Sequence, residues 1–198
     1  LGISSSTLSG NSASLSGGGI YNSGSLSISN STISSNLASN GGGILNDLGS
    51  ISLSSSTLSG NSATNNGGGI WNNSSLGISG SSISGNTASI GGGLWNSGSL
   101  SVTNSSVNGN LATNSGGGIY NRVGSVGISS STLSGNSATN NGGGIFNWNN
   151  GSLTLTSSTL SGNSASNGGG IWNNSSVGIS GSTLSGNSAT NNGGGIYN

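Results

Sequence analysis

One motif recurs eight times along this chain: Gly-Gly-Gly, then Ile or Leu, then a large residue and Asn. The first copy occupies residues 17–22 and the last residues 193–198. Its aliphatic position falls at Ile20, Ile44, Ile70, Leu94, Ile119, Ile145, Ile171 and Ile196, a step of 24 to 26 residues every time. A period this short and regular makes each repeat one structural unit, which buries its apolar residues only by stacking on its neighbours.

Residues 51–72 show the pattern inside one unit. Ile51 and Leu53 alternate with Ser, a short period-two strand. Leu58 points inward between Thr57 and Ser59, Gly60 and Asn61 turn the chain, and Ala63 points in where there is little room. Three glycines turn it again, Ile70 goes in, Trp71 goes out and Asn72 closes a third corner. The expectation is an all-β parallel β-helix, a three-sided β-solenoid of eight coils forming a single domain over residues 1–198. Rungs ~4.8 Å apart would make a rod of roughly 38 Å. The interior columns agree with this. Leu1/Ile3 through Val177/Ile179 line the first strand, Leu8 through Leu184 the second, and Ala13 through Ala189 the small column.

Asn forms two columns without exception. One is Asn11, Asn36, Asn61, Asn86, Asn110, Asn136, Asn163 and Asn187. The other is Asn22, Asn46, Asn72, Asn96, Asn121, Asn147, Asn173 and Asn198. An amide both donates and accepts, so a column of amides can hydrogen-bond from rung to rung and satisfy corner backbone groups. The glycines read as tight corners with positive φ. A phosphate-cradling loop would need a following helix, and usually a Lys, which this chain does not have.

Composition narrows the function. Asp47 and Arg122 are the only charged side chains among 198 residues, and there is no His, Cys, Met or Pro. Zero net charge removes the electrostatic footprint for nucleic acid or anionic membranes, and no apolar run is long enough for membrane insertion. Paired titratable groups for acid–base catalysis and His or Cys ligands for zinc are missing, so no enzyme, metal or cofactor is expected. Asp47 and Arg122 fall at the same corner but three coils apart, roughly 14 Å by rung spacing. Near-neutrality also favours association.

Three sets of outward residues remain. Tyr21, Leu45, Trp71, Trp95, Tyr120, Phe146, Trp172 and Tyr197 follow the inward aliphatic of each motif and would make an apolar ridge. Such a ridge suits lateral or subunit contact, stacking along the sheet, or glycan binding. On the middle strand a rank of mostly Thr (Thr7, Thr32, Thr57, Thr132, Thr159, Thr183) runs beside one of mostly Ser, similar to the face of β-solenoid ice-binding proteins. Sequons for N-glycosylation stand at Asn30, Asn72, Asn73, Asn104, Asn150, Asn173 and Asn174.

The order Leu58, Asn61, Ala63 and then residues 67–70 resembles the polymorphic outer-membrane protein repeat, in which Phe-x-x-Asn precedes Gly-Gly and two aliphatics. The resemblance covers all eight units. Here Leu, Ile or Val takes the place of Phe, and charge is nearly absent. It implies a right-handed parallel β-helix that is secreted or displayed at the cell surface, often as an adhesin.

The chain opens on Leu1 rather than Met, which reads as a processed product or a fragment. No polar cap is evident at either end, so Leu1, Ile3, Leu8, Leu184 and Ile196 are the expected end-stacking residues. Rung eight of one copy would meet rung one of the next, a head-to-tail homopolymer. The leading expectation is a structural subunit of an extracellular filament, surface fibre or biofilm matrix. The alternatives are a surface adhesin or carbohydrate-binding β-helix, or an ice binder.

Overall fold

Ser, Thr and Asn on either side of each inward aliphatic make strands that are short and two-faced. A computed structural model describes all residues, Leu1–Asn198, and the chain folds into a parallel β-solenoid of eight coils with no helix. In the third coil the strands are Ser50–Ser54, Thr57–Ser59, Ser62–Asn66 and Ile70–Asn72. Each pairs in parallel with its counterparts one coil away: Ile51 with Leu76, Leu58 with Ile83, Ile70 with Leu94. The result is four sheets of eight, eight, seven and eight strands.

Four strands per coil, where three were expected, is a difference with a local cause. The Ala segment is itself a strand: Ala63 pairs with Ala38, and Ser62 N donates to Asn36 O at 2.9 Å. Ala is a poor strand former on propensity, so the segment reads as part of a long turn. Backbone pairing from coil to coil overrides that preference. This third sheet also absorbs the uneven repeat length. After Ser62↔Leu37 and Ala63↔Ala38 the register slips, and Asn66 meets Asn40. In the first coil the segment makes only isolated bridges, Ser12 with Leu37 and Ser16 with Asn40, which leaves this sheet one strand short.

Three of the four corners turn on a single residue with left-handed backbone. In the third coil these are Ser55 at φ 47°, Gly60 at 62° and Gly67 at 63°. The corner glycines meet separate demands. Gly67 supplies the positive φ. Gly68 sits so close to the next coil that a Cβ would run into the Gly92 and Thr87 carbonyl oxygens. Only a residue without a side chain lets the two coils pass at that corner.

Inside, twenty-five buried aliphatic residues form one continuous core, and Ala112, Ala138 and Ala165 form a small satellite. Like stacks on like because each coil sees only its neighbours. No buried side-chain nitrogen or oxygen lacks a hydrogen-bond partner. Core positions of the outermost coils are more open. Ile3, Leu8 and Leu184 are partly buried against the core, whereas Leu1 is 81 % and Ile196 39 % exposed.

Candidate functional site

The first Asn column stands at the corner between the second and third sheets, and all seven steps are hydrogen-bonded side chain to side chain. Asn86 shows the full pattern. Its Nδ2 donates to Asn110 Oδ1 at 3.0 Å and to Leu58 O at 3.2 Å, and its backbone N donates to the same Oδ1 at 3.0 Å. Its own Oδ1 accepts from the backbone N and Nδ2 of Asn61. One buried amide thus serves three coils. The second column is equally unbroken. There Asn72 Nδ2 donates to Asn96 Oδ1 at 2.7 Å and back to Ser74 O at 3.0 Å, which fixes the link into the next coil.

A third ladder has no counterpart among the sequence expectations. Ser6, Ser31, Ser56, Ser81, Ser105, Ser131, Ser158 and Ser182 line the corner between the first and second sheets. Ser81 Oγ accepts from Ser56 N at 3.1 Å and donates to Ser79 O at 2.8 Å, and Ser81 N donates onward to Ser105 Oγ. The signal was present, since all eight positions are Ser. In a chain this rich in Ser, one invariant column is hidden by its neighbours.

The residues after the inward aliphatics form a column of stacked rings. Trp71 and Trp95 lie 4.9 Å apart and nearly parallel, as do Tyr120 and Phe146 at 4.8 Å and Phe146 and Trp172 at 4.4 Å. Trp148, from the linker, adds a ring against Phe146 and Trp172. Separations near the strand spacing follow from in-register parallel pairing. The central rings cover one another, so Trp95 and Phe146 are buried while Tyr21 and Tyr197 at the ends are exposed. Leu45 is the one aliphatic in the column and is itself buried, and the ring stacking begins beyond it, at Trp71.

An open groove of about 460 Å³ lies over this break. Tyr21, Leu45, Trp71 and Trp95 line one side. Ser16, Asn40 and Asn66, from the residues just before the glycines, line the other. The Gly-Gly-Gly corner between them carries no side chain, which leaves the groove hollow. Asp47 and Arg122 also line it, so the structure brings both charged side chains of the chain to one feature. Tyr21 Oη donates to Asp47 Oδ2 at 3.0 Å. That hydrogen bond, with the adjacent negative charge, raises the Tyr21 hydroxyl above its usual value. Burial raises Tyr120, against a smaller lowering effect from Arg122.

Two of the seven sequon asparagines, Asn72 and Asn173, are buried with their Nδ2 groups committed to the ladder. Asn30, Asn73, Asn104, Asn150 and Asn174 are exposed. The Thr rank runs beside the corner that carries the Ser ladder, where Thr57, Ser82, Ser106 and Thr132 border a shallow polar hollow.

The model of the Chlamydia polymorphic membrane protein repeat matches residues 5–23, 55–73, 104–122, 130–147 and 181–198, together just under half of the chain. Curated proteins and solved structures give no match. Coils outside the five matches pair in the same register and carry the same Asn columns as those within them. The chain is a parallel β-solenoid, and five segments of it are similar to the polymorphic membrane protein repeat.

Proposed function

We propose that the protein is a structural rod at a cell surface, a segment of an extracellular fibre or matrix that lengthens by stacking of further coils of the same pattern. The repeat type supports the surface location. The observation that carries the rod is the identity of every step. Three of the four sheets, the Asn columns and the core aliphatics pass from coil to coil in one register, so a further coil meets the same partners there as the one before it. A repeat stack of this kind is quasi-one-dimensional, and its exposed apolar rungs favour association with another such rung. The additional coils come either from the same polypeptide or from a second copy, and the heterologous contact leads to an open filament in the second case.

Light scattering across a concentration series tests the assembly. The expected result is growth of long particles with concentration, and its suppression by Ile179→Asp together with Ile196→Asp. Monomeric rods at high concentration in the unmutated chain would contradict stacking between copies.

A further inference from the structure

We propose that the groove at the break in the ring column is a binding site for a linear neutral oligosaccharide. The inference does not depend on whether the rod assembles end to end.

The first ground is where the charges lie. A chain with two charged side chains in 198 residues places both along one groove, Asp47 near one end and Arg122 near the other. Three rungs separate their positions, roughly 14 Å. A compact ion cannot touch both, but an extended ligand of a few sugar units, each about one rung long, can. With one charge of each sign the site has no net attraction for an anion or a cation, which favours a neutral ligand.

The second ground is the groove's mixed chemistry. A pyranose has an apolar face of C–H groups and a rim of hydroxyls. Tyr21, Trp71 and Trp95 provide apolar, rigid walls at little entropic cost. The Asn40 and Asn66 amides, the Asp47 carboxylate and the Arg122 guanidinium can accept from and donate to the hydroxyl rim. Asp47 Oδ2 is taken by Tyr21, whereas Oδ1 has only a long 3.5 Å contact from Asn73 and keeps accepting capacity. The volume, about 460 Å³, is that of a small-ligand site, and the groove runs along the rod as a linear chain requires.

The third ground is Leu45. Every other member of the column is aromatic, and a ring here would continue the stack across the gap between Tyr21 and Trp71. The shorter side chain leaves the space that forms the groove.

The test uses cellotriose, chitotriose and maltotriose, read by tryptophan fluorescence and by saturation transfer from protein to saccharide in NMR. At least one should bind saturably, with transfer concentrated on its C–H protons. Leu45→Trp, which fills the break, and Arg122→Gln should each weaken it by about tenfold, the loss expected of one charge-assisted contact. Thr132→Tyr on the opposite rank should leave it unchanged, and urea midpoints of all variants verify folding. No saturable signal with any of the three up to tens of millimolar would overturn the proposal. So would binding that survives Leu45→Trp and Arg122→Gln, or a side-by-side dimer through the groove that those variants abolish.

Discussion

The Asn corner and the ring column run along the same rod, yet only one of them tolerates substitution. All eight positions of the first Asn column are Asn, whereas the ring column contains Tyr, Trp, Phe and Leu. Both are held by in-register stacking, so register alone does not explain the difference. Each buried Asn must donate and accept across three coils, and no other uncharged side chain of that length does both in that geometry. The rings meet by contact area, which several residues supply. Directional bonding enforces identity and apolar contact enforces only size. In this chain, variation therefore concentrates on the face that can carry specificity.

The largest expected effect breaks the Asn ladder at its centre. Asn86→Leu keeps the volume but takes from Leu58 O its amide donor and from Asn61 N its acceptor, and leaves Asn110 Oδ1 and Asn61 Nδ2 with one hydrogen bond fewer each. A loss on the order of 3 kcal/mol or more follows, measured as a lowered urea midpoint. Ser81→Ala removes one hydroxyl that accepts from Ser56 N, and should cost about 1–2 kcal/mol in the same assay.

Substitutions in the ring column should do less. Trp95→Leu recreates at the fourth coil what Leu45 is at the second, and should cost about 1 kcal/mol, with the reverse change Leu45→Trp neutral or mildly stabilising. Equal losses at Asn86 and Trp95 would erase the distinction between the two columns.

The smallest effect is electrostatic. The folded chain holds the Tyr21 and Tyr120 protons more tightly than the unfolded chain, because both hydroxyls are raised. Their contribution is fully present below the unfolded phenol value of about 10 and is lost as pH rises through the folded values. The urea midpoint should therefore fall above pH ~10, and Tyr21→Phe should remove part of that fall.

Much of this was legible in the residues. Period, parallel stacking, inward aliphatics and both Asn columns follow from spacing, because a solenoid repeats the same local problem eight times. The fourth strand was not legible, since Ala63, Asn65 and Asn66 are poor strand formers and the segment pairs because the adjacent coil presents the same backbone. The Ser81 ladder was masked by the Ser residues around it. The groove was the hardest feature to foresee. It depends on Asp47 and Arg122, which are far apart in sequence, and on the absence of a ring at Leu45.

The central claim, that the Asn columns and the other three sheets keep one register from coil to coil while the third sheet absorbs the uneven repeat length, is tested most directly by cryo-electron microscopy of the purified protein at high concentration. The account predicts filaments with a layer line at ~4.8 Å and density for four strands in each rung. Discrete particles without that repeat, or rungs whose Asn corners do not lie one above the other along the rod, would contradict it.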